Sequence, residues 1–424
     1  MEHAKALIAC MAENDKDWLP SISILTPAPI FVEQAGAIVV LKKGYHETDG
    51  GVYVTKEWPI RELGLTYAKA KLLELLADFN FTTPADQSRA LASLLAPAFK
   101  LGRLLTEDAP LDMAEADQSQ AGKTYRLKLI CALYGDTPHL ITVKGERAVG
   151  SLDESISQGL VDGHAFIMFD NVRGVLNSQL LESAVRGTGA VNARVSYSRE
   201  REVSAERVVW LLSSNAAQAT PDLANRSVIT RILKHKPGYQ FKRYAEGDLL
   251  AHIKANQADY LSAVYTVLCE WHRQGKPRTD EARHDFREWT QTMDWLVQHL
   301  FGLPPLMDGH REEQERISNP DLDWLRKVAL VIDKADKLGD WFQAGELIDL
   351  CEGNGIDLPS CRLGMDERTV KLQTGKVLKR IFADRESPVV NVGGFKVTRR
   401  SEEGWSEERR QYQHTHHHCF EKSK

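Results

Sequence analysis

The residues best equipped for chemistry in this 424-residue chain are Asp117-Gln118-Ser119-Gln120-Ala121-Gly122-Lys123-Thr124, with Tyr125 directly behind them. Gly-Lys-Thr at the start of a helix closes a phosphate-binding loop. Backbone amides point inward at the phosphates, the lysine reaches the terminal phosphates, and the threonine hydroxyl holds a magnesium ion. Tyr125 to Leu133 carries Leu127, Ile130 and Cys131 at helical spacing, so the anion sits on a helix N-terminus. Such a loop asks for glycine at its first position and finds Asp117. Aspartate is one of the few other residues that tolerate left-handed backbone angles, and its carboxylate must then face away from the phosphates.

Three further groups follow downstream. His164 to Asn171 is a continuous apolar run ending in Asp170, the way a buried parallel strand presents a magnesium-binding carboxylate at its C-terminal edge. A strand closed by a turn aspartate reads the same, and the repeating β–α pattern around it favours the metal role. Val208 to Leu212 is a second buried strand, ending in Ser213-Ser214-Asn215. The Asn215 amide either holds the attacking water of a nucleotide hydrolase or starts the next turn. Asp222 to Ile232 then sets Arg226 and Arg231 beside a short apolar run, and an arginine offered to a neighbouring subunit's γ-phosphate stabilises transition-state charge.

The elements that must position these residues are those of an α/β chain. Forty-two per cent apolar and 27% charged residues are ordinary globular values, and the length suggests two to three domains. A net charge of −5 leaves any nucleic-acid footprint to be local. The six cysteines are scattered, with no Cys-x-x-Cys pair, and neither a secretory leader nor a bilayer-length apolar run is present, so a cytoplasmic setting is expected. Residues 1–64 read as a small β-containing segment, with Ala37 to Leu41 apolar, a turn at Asp49-Gly50-Gly51 and Val52 to Val54 returning. Leu65 to Phe79 is helical, and Thr83-Pro84 caps and starts a second helix. The two helices either wall an adenine pocket or pack on the sheet. Ser151 caps a helix with Asp153 and Glu154 in its first turn. Ala193 to Val203 alternates as a hairpin would.

In order and spacing, Asp117 to Thr124, Phe166 to Asn171, Ser214-Asn215 and Asp222 to Ile232 resemble the Walker A, Walker B, sensor 1 and arginine-finger elements of AAA+ ATPases. The likeness is to helicase-like ATPases of phages, plasmids and mobile elements, and it covers residues 65 to 300. Ala193 to Val203 resembles the pore hairpin of superfamily-three and minichromosome-maintenance helicases. The resemblance implies a P-loop AAA+ core over residues 65–235, a helical lid over 236–318, ATP and Mg2+ as ligands, and a ring, usually of six, encircling DNA. It implies that Asp117 to Tyr125 cradle the nucleotide, that Lys123 and Thr124 bind phosphate and magnesium, and that Asp170 holds the magnesium, Asn215 the water and Arg226 the neighbour's nucleotide. Asn171 departs from the family's acid, and an amide cannot accept the water's proton. Either Glu154 takes that task or hydrolysis is slow. Tyr239 to Leu300 is expected to be helical, with Arg283 or Arg287 either serving as sensor 2 or decorating a solvated face.

Beyond the charged run His310 to Arg316, three helices and a hairpin at Val389 to Thr398 give the order of a winged helix over residues 319–410. From Arg368 to Arg400 there is a surplus of seven cations, including Lys376, Lys379, Arg380, Lys396 and Arg399, which reads as a duplex-DNA footprint or as a charged protein-docking face. Arg194, Tyr197, Arg199 and Arg201 on the hairpin combine phosphate-pairing and base-stacking groups suited to single-stranded DNA. Residues 411–424, rich in histidine, are expected to be a disordered tail. The reading is thus an ATP-dependent DNA translocase or helicase. Its rivals are an ATP-gated DNA-binding switch with little hydrolysis and a protein-remodelling ring.

Overall fold

The computed structural model describes residues 22–47, 51–116, 118–142, 151–172, 175–186, 190–194, 201–215, 218–359, 365–383, 388–406 and 411–423. Two compact units divide the chain: Met1–Ala217 with Asn225–Asp308, and Gln218–Ala224 with Gly309–Lys424.

The first unit is mixed α/β around a parallel sheet. Its N-terminal part holds β1 (Ile24–Thr26), β2 (Phe31–Gln34), β3 (Ala37–Val40), β4 (Gly44–His46) and β5 (Val52–Val54). The expected return of Val52 to Val54 onto Ala37 to Leu41 does not form. β3 pairs with β2, while β5 lies between β1 and β4. This part is built into the same unit as the sheet, since Thr26 Oγ1 donates to Asp136 (2.6 Å) and Leu25 N to Gly163 O (3.1 Å). Helix α1 (Leu65–Glu74) follows. Helix α2 (Pro84–Gly102) starts with the reciprocal Thr83–Asp86 capping bonds, Pro84 in its first turn. Of the two roles open to this pair, α2 takes packing: nearly all its residues are buried. It ends where a side chain has no room, because a Cβ on Gly102 would come within 1.7 Å of Phe31 O.

The sheet consists of β6 (Leu111–Glu115), β7 (His139–Ile141), β8 (Phe166–Val172), β12 (Val209–Ser214) and β14 (Ser227–Arg231) in the order β14-β6-β12-β8-β7, all parallel. β6, β12 and β14 are buried throughout, as strands covered on both faces must be. Helices α3 (Lys123–Leu133), α4 (Leu152–Val161) and α5 (Gln179–Arg186), the short strand β9 (Val175–Leu176) and the antiparallel pair β10 (Ala190–Ala193) and β11 (Arg201–Ser204) connect them. Strand β13 (Gln218–Ala219) and most of helix α6 (Pro221–Asn225) fall in the second unit. After β14 the expected continuous helix is absent: helix resumes only at α7 (Leu249–Ala255), α8 (Gln257–Arg273) and α9 (Arg287–Trp295), the last running into a π turn over Leu296–Leu300. Gly247 explains where helix starts, since its φ of 116° lies outside the helical region and Asp248 behind it caps α7 by accepting from Ala251 N.

In the second unit the charged run proves to be helix α10 (His310–Ser318), so the unit begins before it. Then come α11 (Pro320–Lys334), capped by Asn319, β15 (Trp341–Gln343), α12 (Ala344–Gly353), α13 (Glu367–Ala383), β16 (Val389–Val392), β17 (Phe395–Ser406) and β18 (Gln411–Lys422). The antiparallel sheet runs β15-β18-β17-β16, and Gly393-Gly394 makes the tight turn between β16 and β17. The tail expected to be disordered is β18. It pairs with β17 from Gln411 to Lys422 and sends Phe420 into a core with Leu325, Val377 and Val397, with His418, two residues back on the same face, also buried. Backbone pairing and these inward side chains order it, and neither is visible in a polar, histidine-rich composition.

Burial pushes the His418 ring down to about 4, and the cations Arg399, His416 and His417 push the same way. The unfolded ring titrates near 6.5, so the unfolded chain binds the proton first. Stability from the neutral ring is whole above about 6.5 and falls by about 1.4 kcal/mol per pH unit as the pH drops towards 4. Amide exchange of β18, corrected for its intrinsic pH dependence, is therefore expected to quicken between pH 7 and 5, and His418→Phe to flatten that response. Equal protection at both pH values in the unmodified protein would contradict this.

Candidate active site

Strand order assembles the site. β6, β12 and β8 are adjacent, so the loop after β6, the end of β12 and Asp170 on β8 meet at the sheet's C-terminal edge, the edge where ligands of open parallel sheets bind. Gln120 (φ 63°) and Gly122 (φ 97°) are left-handed, which turns successive amides to one side as an anion cradle does. Gly122 caps α3, and a Cβ there would only touch Phe79 at ordinary contact distance, so it is the left-handed backbone that asks for glycine. Lys123 and Thr124 form the first turn. Asp117 lies outside the described residues.

Lys123 is 6% exposed, not the solvated cation its loop position suggests, and its ammonium donates to Asn215 Oδ1. Burial lowers its pKa, with the charges of Asp170 and Glu115 opposing. Thr124 Oγ1 donates to Asp170 Oδ1 at 2.8 Å. Ser213, wholly buried, ties the cluster together: its hydroxyl donates to Asp170 Oδ1 (2.8 Å), lies 3.2 Å from Thr124 Oγ1 and accepts from Asn171 N (2.8 Å). The donor set fits a hard cation, because the Thr124 hydroxyl and the Asp170 carboxylate are neighbouring oxygens facing the loop.

Asn171 is exposed at φ 52°, and its Oδ1 is 3.5 Å from Asn215 Nδ2. Asparagine visits left-handed angles readily, as aspartate does, whereas most other side chains pay about 1–2 kcal/mol there, so this backbone disfavours a glutamate at 171 but not an aspartate. Glu154 opens α4 with its amide on Ser151 Oγ (3.0 Å). Sequence reasoning missed Ser213 and Glu115. A serine closing an otherwise apolar strand was the available signal for the first. Glu115 is wholly buried and faces Arg231 at 3.9 Å, an arrangement that anchors the strand before the loop rather than reaching water.

Beside Gly122 lies a cavity of about 700 Å3 walled by Phe79, Tyr125, His235, Tyr239, Phe241 and Tyr244. His235 and Tyr239 stack at 3.6 Å, and Asp78 holds this wall through its carbonyl to His235 (2.8 Å) and its carboxylate to Tyr239 OH (3.0 Å) and Lys242 N (3.0 Å). Burial raises the Tyr244 hydroxyl to about 12, so it stays a neutral donor. The aromatic wall suits a nucleobase; Tyr239, Phe241 and Tyr244 come from the segment expected to be helical, and Phe79 from the end of the first helical stretch offered as an adenine wall.

Arg226 lies at the other edge. It directly precedes β14, its carbonyl accepts from Leu111 N (3.0 Å) at the start of β6, and its guanidinium donates to Glu182 O. A strand's length, about 3.3 Å per residue, separates it from its own loop. A second cavity, also about 700 Å3, opens there with Arg186, Arg226 and Arg287. Arg283 is held by Glu281 (2.9 Å), so of the two sensor candidates one is paired and the other faces the edge away from the loop.

Arg194 follows β10, its amide on Ser157 Oγ (3.2 Å). Only the backbone of Arg201 is described, and Tyr197 and Arg199 lie outside the described residues. The cation surplus counted along 368–400 shrinks in the fold. Arg380 pairs with Asp321, Lys396 with Glu421 (3.7 Å) and Lys371 with Glu367 (2.6 Å), acids that a linear window leaves out or misplaces. Lys376 and Lys379 stand on α13, and Arg399 lies over the Phe382 ring at 5.1 Å. Among the described residues, Cys131, Cys269, Cys351 and Cys419 are free thiols, and no helix is long and apolar enough to cross a membrane.

No family model and no curated protein matches the chain. Solved structures similar to it include the apo C-terminal region of NrS-1 (10% identity, 84% of this chain and 71% of that chain, TM-score 0.37). Also similar are the SCCmec type IV Cch helicase (11% identity, 99% and 83%, TM-score 0.33) and JCV helicase bound to a thiazolopyridine acetamide (11% identity, 60% and 64%, TM-score 0.26). At TM-scores below 0.5 these describe loose likeness only.

Proposed function

We propose that this chain is a magnesium–ATP-dependent DNA translocase or helicase of a mobile genetic element, an AAA+ ATPase whose sites are shared between subunits of a ring, six being the expected number. The observation that carries the reading is the convergence of Lys123, Thr124, Asp170 and Asn215 at one end of the sheet, on a helix N-terminus. The loop amides and Lys123 would hold the triphosphate, and the aromatic cavity the base. Arrival of a phosphate gives Lys123 a stronger partner than Asn215 Oδ1 and frees that amide to orient water. Thr124 and Asp170 would hold magnesium, which neutralises charge on the phosphates when bound. Arg226, at the far edge, would serve a neighbour's site. The β10–β11 hairpin would contact single-stranded DNA in the pore, and the second unit, whose helix and strand order suits a winged helix, would hold duplex DNA.

Glu154 is the proposed base. Glu154→Gln should bind ATP normally and lose turnover by about two to four orders of magnitude. Equal turnover would remove Glu154 from the mechanism and leave the Asn171–Asn215 amide pair. That outcome favours a second reading, an ATP-gated DNA-binding switch, for which the left-handed Asn171 is the supporting observation. ATP hydrolysis with and without single-stranded DNA separates the two. The translocase requires DNA-stimulated turnover, and nucleotide-dependent DNA retention without turnover would leave only the switch.

A further inference from the structure

The second unit contains a cleft that the basic surplus alone does not reveal. It measures about 270 Å3 and is lined by Gly345, Lys371, Lys379, Arg399, His416 and His418. Gly345 lies in the first turn of α12, a ten-residue helix whose N-terminal amides carry partial positive charge. Gln343 and Glu346 form a capping box there, which satisfies part of that end.

The second observation is His418. Its ring is 1% exposed, yet neither Nδ1 nor Nε2 has a hydrogen-bond partner. The backbone of Phe342 favours the protonated ring without reaching hydrogen-bond geometry. Buried polar atoms without partners are rare and point to a missing group. The strand register places His418 directly opposite Arg399, and both side chains meet the Phe382 ring. Burial keeps the imidazole neutral, with one N–H to donate.

We infer that this cleft seats one backbone phosphate of a bound nucleic acid, with Lys379 and Arg399 supplying charge and His418 a neutral hydrogen bond. The ligand chemistry is an anionic phosphate ester. A nucleic acid is favoured over a free phosphate because exposed Lys376 stands one helical turn from Lys379 on α13, a further cation beside the cleft for the next phosphate of a repeating polyanion. The inference rests on the reading of the chain as a DNA-acting ATPase and adds to it one seat and one histidine.

The test is fluorescence anisotropy of a labelled DNA duplex with the full chain at several salt concentrations. Two cations on one phosphate release the counterions of one phosphate. Lys379→Ala with Arg399→Ala should therefore lower the slope of log affinity against log salt by about one unit, not two. His418→Phe, which keeps the ring's bulk, should weaken binding by about two- to tenfold at every salt concentration with the slope unchanged. If His418→Phe fails to fold, the double variant decides. Wild-type binding that the double variant leaves unchanged, or a loss of two units, overturns the shared seat while leaving the ATPase reading in place. Absence of DNA binding by the wild type overturns both. Inorganic pyrophosphate that displaces the duplex only at matched charge supports the nucleic-acid source. A cleft that takes pyrophosphate, seen as wild-type thermal stabilisation lost in the double variant, while the duplex ignores both, assigns it to free phosphate and overturns the inference.

Discussion

Lys123→Ala is expected to abolish ATP binding in a calorimeter while the protein stays folded. The ammonium sits in the first turn of α3, directly behind the loop, and a charge-assisted bond to phosphate is worth about 1.5–3 kcal/mol, roughly a hundredfold in affinity at the upper end. The structure alters what the substitution does to the free protein. Because Lys123 is buried and donates to Asn215, its loss leaves Asn215 Oδ1 short of a partner. That costs about 1 kcal/mol, a small shift in the unfolding midpoint beside the loss of ligand. Unchanged affinity would remove the loop from nucleotide binding.

Arg226→Ala is expected to lower turnover by about 10³–10⁵, the range for an arginine supplied to a γ-phosphate, with ATP affinity nearly kept. The guanidinium sits at the strand-start edge of the sheet while the loop sits at the strand-end edge, so the effect cannot come through the arginine's own site. Its bond to the Glu182 carbonyl fixes α5 beside it. A merely structural role would show as a lowered unfolding midpoint, with turnover falling only in proportion to the folded fraction lost.

Where residues sit next to one another in sequence, the site was legible. Gly122-Lys123-Thr124 before α3, the apolar run into Asp170 and the strand into Asn215 announce their own geometry, because a buried parallel strand and a helix start each have a short-range signature. What could not be read depends on pairing between distant segments. Ser213 is one more serine until β12 lies against β8. The aromatic stretch from Tyr239 to Tyr244 is expected to be helical until Gly247, at φ 116°, and the cap at Asp248 set the helix start beyond it. β18 is hidden because its order comes from the β17 backbone, and Arg380 and Lys396 look available until Asp321 and Glu421 arrive from other elements. The left-handed Asn171, conversely, gives a physical reason against a glutamate at a position that in sequence is only a departure.

A mixing experiment tests the central claim, an ATP site completed by a neighbouring subunit, most directly. Arg226→Ala subunits keep an intact loop, and Lys123→Ala subunits keep an intact arginine. Each preparation alone should be inactive at saturating magnesium–ATP. Combined in equal amounts, they should recover part of the wild-type turnover, at interfaces that join an intact loop to an intact Arg226. No recovery from a mixture shown by sedimentation to co-assemble, or a wild type that remains monomeric at saturating ATP, would contradict the shared site.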